Sequence, residues 1–353
     1  GLAKFRNTVP TFRRFRIGAN LAQDAAPAEL VARLERQVAK LIRHPGHEKA
    51  LANLGSAPDL ARPLLQREAK QLRARADDLD AQARSIHRRA IAREIAAALK
   101  SEKEDRLLRA ALLIARLDNT EIEVEAYLEE VGRMAGEISG ALPKDAKIAQ
   151  KVDAVRTYLF HDNGYHGSRA DYYSRSNSYL NEVIDDREGI PITLSVLYME
   201  LARRLGLKMA GIGLPGHFVV AQLRGKKDPQ LIDVYEGAKL LTRKDAGEIV
   251  RNIAGIPLQD AHLEPVDNRA IIVRMLRNLI GVSNDNETPE TLLRYLNTLI
   301  LLQPDSPQER LNRALMHMRL KKNEKAKEDV RWLLDNNPPG FNRERLLELF
   351  QRL

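Results

Sequence analysis

A buried helix followed by two short strands, within residues 189–235, constrains the fold of this chain more than any other feature. Pro191 can begin the helix because a proline at the first helical position loses no hydrogen bond, and Gly206 can end it. The segments 217–222 and 231–235 alternate side chains with the period of two that a strand requires. One apolar face of the helix is formed by Leu194, Leu197, Tyr198, Leu201 and Leu205. These patterns predict a small antiparallel sheet beside a packed helix.

The remainder of the chain mostly follows the helical period. Aromatic residues are only 5% of the 353 residues and charged residues are 30%, a composition that favours helices. Apolar periodicity predicts helices over residues 28–42, 59–99, 105–118, 128–138, 149–161, 271–279, 289–302, 307–320, 323–335 and 343–350. Residues 162–188 show little periodicity and are interpreted as a long loop over a site. The expected fold class is α+β and predominantly helical.

The segment 59–99 is interpreted as one long helix or a helical hairpin. Its heptad stripe slips before Ile91 and Ile95. The stripe consists of Leu65, Leu72, Leu79 and Ile86. An apolar stripe normally faces another element, so we expect it to be packed against one.

The last four predicted helices are separated by short turns rich in Pro, Asn and Asp. Their period of about 34 residues is typical of tetratricopeptide-like repeats, and two such units suit a C-terminal cap as well as a superhelix. Four regions are predicted in all. They are a basic arm with short helices (1–58), a long helical segment (59–104), a core (105–268) and a helical repeat (269–353).

His217 and Asp233 are the most informative pair of polar residues. If the turn between the strands is centred on Gly225, the two side chains lie opposite each other, with β-carbons about 5 Å apart. A Cys–His–Asp site would add a thiolate at a helix N-terminus. The chain contains no cysteine, so it has no thiol nucleophile and no disulfide, as expected in the reducing cytoplasm. The pattern is therefore that of such a site without its nucleophile.

Thr193 and Ser195 are the hydroxyls nearest to the start of the helix. Either could attack a substrate if His217 acted as the base and Asp233 oriented it. Either could instead cap the helix N-terminus, where unpaired N–H groups need acceptors. Both interpretations stay open.

Further candidate binding residues lie in the long loop and at the entries to the helix and the strand. Amide side chains in the loop could hold a carbonyl group of a ligand, or they could hold the loop itself. Tyrosines there could line a groove or pack the loop on the core. The candidates are Tyr172, Asn177, Asn181, Pro191 and Gly216.

Several function classes are not expected. The chain has no phosphate-binding loop, dinucleotide fingerprint or zinc motif, so we expect no cofactor and no metal. No apolar run approaches the roughly 18 residues that a membrane span needs. The net charge is +9, and residues 1–20 carry Lys4, Arg6, Arg13, Arg14 and Arg16 with no acid. This arm could contact nucleic acid or anionic lipid, or it could simply be solvated.

Several short blocks follow one another in the order of a known family. They are Gly164-Tyr165-His166-Gly167, Asp171-Tyr172-Tyr173, 177–181, 189–195, 204–207 and Pro215-Gly216-His217-Phe218. In this combination the chain resembles the SirB-type family, a transglutaminase-like group whose core is usually followed by tetratricopeptide repeats. The resemblance spans roughly residues 102–340, and residues 107–117 resemble the leading helix of that family.

The resemblance has direct implications for the site. In the transglutaminase-like superfamily a Cys opens the core helix, and His and Asp follow on strands. That Cys position falls near Pro191 or Ile192 in this chain, and SirB-type sequences generally lack the Cys. Before the helix this chain has Val-Ile-Asp-Asp-Arg-Glu-Gly (residues 183–189), where the family tends to have a more basic Arg-Arg pair, and this makes the mouth of the site more acidic.

Two functions are carried forward from this resemblance. The first is a catalytically silent transglutaminase-like protein that binds a protein or peptide through the core cleft and the repeat surface. The alternative is an amide hydrolase or acyl transferase that uses His217 and Asp233 with Thr193, Ser195 or a water. A nucleic-acid-binding protein is a third class and depends only on the basic arm.

Overall fold

The computed structural model describes residues 28–225, 227–283 and 288–353. The basic arm within residues 1–20, and with it the only support for nucleic-acid binding, lies outside the described residues. The chain divides between Gln82 and Ala83 into two compact units.

The first unit is a small helical cluster. Helix α1 (Ala28–Arg43) and helix α2 (Glu48–Gly55) are followed by the start of helix α3 (Pro58–Lys100). The buried apolar residues of this cluster are Leu34, Val38, Leu54 and Ala61. The predicted helix over residues 28–42 is confirmed, whereas the short α2 was not predicted.

Helix α3 is one continuous helix of 43 residues, so the hairpin interpretation is wrong. The expectation that its stripe packs against another element is also wrong for the described residues. Leu65 and Leu72 are 39% and 40% exposed, and Leu79 and Ile86 are 65% and 69% exposed. Periodicity reports which side chains share a face, but it does not report whether anything covers that face.

The second unit surrounds a buried central helix. Its helices up to the central one are α4 (Arg106–Ala115), α5 (Val124–Gly140), α6 (Ile148–Arg156), α7 (Leu180–Asp186) and α8 (Pro191–Arg204). A π-helical turn, Thr157–Asp162, continues α6. Helix α7 lies inside the segment that was interpreted as a loop. Every residue of α8 from Pro191 to Ala202 is buried.

Two sheets are present in the described residues. Strands β1 (His166–Gly167) and β2 (Glu188–Gly189) form a short parallel pair. The larger sheet is antiparallel, with the order β6-β5-β4-β3-β7. Its strands are β3 (Met209–Ile212), β4 (Val219–Arg224), β5 (Lys227–Asp233), β6 (Lys239–Leu241) and β7 (Pro265–Val266). The predicted strands 217–222 and 231–235 are therefore displaced, and β3, β6 and β7 were missed.

The larger sheet is covered on both faces. Val220 and Ile232 join the main core, which includes most of α8. Their neighbours Val219 and Ala221 instead pack in a second cluster with helix α9 (Arg243–Ala254). This alternation is the period of two of a strand. The prediction of a predominantly helical α+β fold with a small antiparallel sheet is confirmed.

The C-terminal helices follow the predicted ranges closely. They are α10 (Asn268–Gly281), α11 (Pro289–Leu302), α12 (Pro307–Arg319), α13 (Asn323–Asn336) and α14 (Arg343–Arg352). Each packs on the next along the chain. Tyr295 and Leu299 of α11 belong to the main core, and Tyr295 donates a hydrogen bond to Asp118 at 2.6 Å. The tetratricopeptide-like character of these helices stays a prediction.

Candidate functional site

His217 and Asp233 form a buried hydrogen-bonded pair. Nε2 of His217 lies 3.0 Å from Oδ2 of Asp233, and the residues are 8% and 2% exposed. Asp233 ends β5, whereas His217 lies before β4 rather than within it. The two side chains therefore meet, as the sequence predicted, although the elements that carry them differ.

The assumed strand register is wrong by two residues. Ala221 pairs with Leu231, and the register shifts between Gln222 and Arg224. A shift of this kind changes which residues of the two strands face each other. His217 follows a turn in which its N–H donates to the Leu214 carbonyl oxygen at 3.1 Å.

That turn requires a glycine at Gly216. Its φ is +76°, a conformation that L side chains rarely adopt. A Cβ at Gly216 would also lie 2.4 Å from Cγ2 of Ile253. Gly216 was predicted as a binding residue, and in the structure it shapes the backbone that presents His217.

Arg274 of α10 fixes the other side of the turn. Its Nη2 donates to the carbonyl oxygens of Leu214 and His217 at 3.2 and 2.6 Å. Burial lowers the pKa of the Arg274 guanidinium below its ordinary value. Sequence analysis missed Arg274, although an arginine inside the apolar stripe of 271–279 was a signal for it.

The start of α8 is closed. Pro191 is buried and Ile192 is 2% exposed, so the position implied for a catalytic Cys holds packed apolar side chains. The Thr193 hydroxyl accepts a hydrogen bond from the Ile190 N–H at 3.2 Å and lies 2.8 Å from the Asn177 carbonyl oxygen, to which it donates. Thr193 thus satisfies groups at the helix N-terminus, as a capping residue does.

Ser195 is fully buried, and its Oγ has no hydrogen-bond partner among the described residues. Neither it nor the Thr193 hydroxyl is hydrogen-bonded to His217 in that part of the chain. The structure therefore brings together the predicted histidine and aspartate, but it does not bring either hydroxyl into hydrogen-bond contact with them.

The amide residues of the long segment hold the protein itself. Asn177 donates from Nδ2 to the carbonyl oxygen of Asp171 at 2.7 Å. Asn181 donates to Oε1 of Glu182 at 2.8 Å. These two residues are 5% and 1% exposed, so they fix the segment rather than present an amide at the surface.

Three tyrosines form an aromatic surface beside the pair: Tyr172, Tyr173 and Tyr235. The ring centroids of Tyr172 lie 5.3 Å from Tyr173 and 6.3 Å from Tyr235, both edge to face. Tyr235 in turn meets the His217 ring edge to face at 6.2 Å. Tyr173 is 73% exposed and Tyr172 is 37% exposed. Burial raises the pKa of Tyr172 and of Tyr235.

Gly167 of β1 makes room for this aromatic surface. A Cβ at Gly167 would lie 2.4 Å from the Tyr235 ring, and the Tyr235 hydroxyl donates to the Ser168 carbonyl oxygen. Arg169 contacts the Tyr235 ring and pairs with Glu236 at 2.8 Å. Tyr235 ends the strand that was predicted over residues 231–235, but sequence analysis did not identify it, or Gly167, as part of the site.

Metal and membrane sites are not indicated by the described residues. Within them no group of His, Asp or Glu side chains is arranged to hold a metal ion. His161 and Asp162 contact each other at 2.8 Å on the surface. None of the described helices combines the length and the apolar character that crossing a bilayer requires.

Comparison with known proteins agrees with this fold. Residues 125–277 match the family model of the transglutaminase-like superfamily, and this range contains His217, Asp233 and the whole of α8. The second unit of the chain thus carries a transglutaminase-like domain.

The relatives define the family more narrowly. A UPF0162 protein of Xylella fastidiosa is 32% identical over 241 residues, which cover 67% of this chain and 85% of the relative. A UPF0162 protein of Vibrio cholerae is 24% identical over 233 residues, which cover 66% of this chain and 86% of the relative. The chain belongs to the UPF0162 family of transglutaminase-like proteins.

A third relative comes from a different context. The F-box only protein 21 of Homo sapiens is 28% identical over 182 residues, which cover 49% of this chain and 28% of that protein. A domain similar to part of this chain therefore also occurs within a longer protein.

Proposed function

We propose that this protein is a catalytically silent, SirB-type transglutaminase-like protein that binds a peptide segment of a cytoplasmic partner protein. The observation that carries the proposal is the aromatic surface beside the buried His217–Asp233 pair, in which Tyr172 and Tyr173 are exposed and Tyr235 is half-buried. The chain has no cysteine. In this proposal the aromatic surface holds a substrate-like segment, and the chain lacks the thiol that would attack it.

The aromatic surface suits a peptide better than a small, enclosed ligand. Tyr172 and Tyr173 expose much of their rings, and tyrosine provides a large contact area with little loss of side-chain entropy. Arg169 and Glu236 lie at its edge as an exposed pair. Such charged groups at a rim select partners and affect association rates more than they add affinity.

His217 supplies a polar anchor in this proposal. In the tautomer in which Nε2 of His217 donates to Oδ2 of Asp233, Nε2 carries the ring proton. Nδ1 is then an acceptor for a backbone N–H of the bound peptide. Asp233 keeps the ring in one orientation, which lowers the entropic cost of binding.

The hydrolase alternative has less support. A hydroxyl nucleophile needs a base within hydrogen-bond reach. The Thr193 hydroxyl is instead hydrogen-bonded to Ile190 and Asn177.

The C-terminal helices are part of the proposal as a tetratricopeptide-like array. Because α11 packs into the main core through Tyr295, this array would add a second part to the binding surface.

Site-specific photo-crosslinking in living cells tests the proposal. A benzoylphenylalanine at Tyr173 is compared with one at Ile148, which is 54% exposed at the start of α6. We expect a partner attached at position 173 only, and we expect Tyr172→Ala to reduce its yield. Mass spectrometry of the adduct locates the bound peptide segment.

Two results would contradict the proposal. One is equal crosslinking at both positions, which indicates nonspecific capture. The other is deamidation or transamidation of glutamine peptides by the purified protein that is lost in His217→Ala, which would favour the enzyme.

A further inference from the structure

The exposed face of α3 carries a complete heptad pattern. An alanine follows each large residue of the stripe by four positions, at Ala69, Ala76, Ala83 and Ala90. These spacings of four and three are those of the d and a positions of a coiled coil. We call the eight residues the alanine–leucine stripe: Leu65, Ala69, Leu72, Ala76, Leu79, Ala83, Ile86 and Ala90. Every residue from 71 to 86 is exposed, so nothing in the described chain covers this part of the helix.

We propose that the alanine–leucine stripe binds the same stripe of a second copy of this chain, as an antiparallel two-stranded coiled coil. In antiparallel coils a positions face d positions. With Ala76 against the partner's Leu79, every layer of the stripe pairs one small residue with one large residue. The other layers are Ala69 with the partner's Ile86, Ala83 with the partner's Leu72, and Ala90 with the partner's Leu65.

This matching of sizes favours the antiparallel arrangement over the parallel one. Facing large and small side chains fill the space between two helices evenly. A parallel, in-register pair would instead place each alanine opposite the partner's same alanine and leave those layers poorly filled. The antiparallel helix dipoles also attract each other. The paired stretch of residues 65–90 is about 39 Å long at 1.5 Å per residue.

Charges beside the stripe are complementary in the same register. Arg73 lies beside the partner's Asp80, and by symmetry Asp80 lies beside the partner's Arg73. Glu68 likewise lies beside the partner's Arg89. Arg73 and Asp80 have no ion-pair partner within the described residues, so they are available for such contacts. Opposite charges at these flanking positions commonly set partner choice and orientation in coiled coils.

Oligomeric state tests the interface first. Sedimentation of the full chain at about 100 μM should give a dimer, and Leu72→Glu with Leu79→Glu should raise its Kd at least about 100-fold. Both leucines are exposed, so the variant should keep the circular dichroism of the parent. The matched control is Ala74→Glu with Ala81→Glu on the outer face of the same helix, which should leave the dimer intact. A monomeric parent chain, or a control that dissociates equally, would overturn the proposal.

Orientation is tested with engineered cysteines, because the parent chain contains none. In the proposed register the two Leu72 positions are separated by about 16 Å, eleven residues along the helix, which is too far for a disulfide. Leu72→Cys alone should therefore not crosslink to itself. A mixture of Leu72→Cys and Ala83→Cys chains should form the mixed disulfide at least about 10-fold faster. Rapid self-crosslinking of Leu72→Cys would overturn the antiparallel arrangement.

Substitutions in the charge pairs test the register independently, because they leave the apolar layers unchanged. Arg73→Asp should raise the Kd of the dimer about 10-fold, because each of two ion pairs becomes a repulsion. Adding Asp80→Arg to the same chain should restore the parent Kd. A Kd that is unchanged by Arg73→Asp would overturn the proposed register.

Discussion

The two sides of the candidate site differ in how open they are. On the side of α8, the residues from Ile190 to Ser195 are all buried, and the Thr193 hydroxyl is engaged with the backbone. On the other side, the buried His217–Asp233 pair adjoins the half-buried Tyr235, whose ring contacts the exposed Tyr172. The start of α8 is therefore packed, whereas Tyr172 and Tyr173 near the buried His217–Asp233 pair are exposed.

The largest expected effect comes from truncating the closed side. Ile192→Ala should lower the free energy of unfolding by about 2–5 kcal/mol, because it removes buried apolar area and leaves a cavity. Tyr173→Ala on the open side should change it by less than about 0.5 kcal/mol. Urea denaturation followed by circular dichroism and by Trp332 fluorescence measures both. Similar losses for the two variants would remove the distinction between the sides.

Single cysteines measure the same difference without truncation. In a chain that has no other thiol, Cys at Tyr173 should react readily with iodoacetamide. Cys at Ile192 should react at least about 100-fold more slowly, since reaction there requires a local opening that costs about 3 kcal/mol. Mass spectrometry of the alkylated protein over time gives both rates. Comparable rates would mean that the start of α8 opens readily and could admit a substrate.

The next largest effect concerns how much the His217–Asp233 hydrogen bond contributes to the free energy of unfolding. His217→Ala should cost about 1–3 kcal/mol, because among the described residues it leaves the buried Asp233 side chain with only a long hydrogen bond from the Glu236 N–H. The double variant His217→Ala with Asp233→Ala should cost less than the sum of the two single variants. Additive losses in urea denaturation would indicate that the contact at 3.0 Å contributes little coupling.

A buried histidine elsewhere provides the contrast with the paired His217. Burial, and secondarily Arg313, lowers the pKa of His317 to about 4, and its Nδ1 has no hydrogen-bond partner among the described residues. The unfolded chain binds this proton near pH 6.5. Between pH 6.5 and about 4 the unfolded state therefore binds more protons, and the free energy of unfolding falls as the pH is lowered through this window.

We expect His317 to contribute a loss of about 1–2 kcal/mol across that window, with no change from this group above it. His317→Asn should flatten this part of the pH profile in urea denaturation. The exposed His161→Asn is the matched control. An unaltered profile in His317→Asn would show that other groups cause the pH dependence.

Local patterns predicted much of the fold. Proline at the start and helical periodicity gave the ranges of α8, α11 and α12 to within about one residue, because these signals depend on neighbours along the chain. The loop interpretation failed for α7, whose seven residues are too short for periodicity to stand out. Part of the site was predicted for the same reason, because His217 and Asp233 lie near each other along the chain at one hairpin. Arg274 was missed because it contacts His217 from 57 residues away.

The sequence by itself determined which residues lie on one helix, that no thiol is present, and that a histidine and an aspartate lie close together at one β-hairpin. Only the tertiary structure decided which faces are covered. It left the stripe of α3 exposed, engaged the hydroxyl of Thr193, and packed Tyr235 over Gly167. The reason is that periodicity and residue type act through neighbours along the chain. Burial and hydrogen bonding in a packed interior depend on which distant segment arrives on the other side.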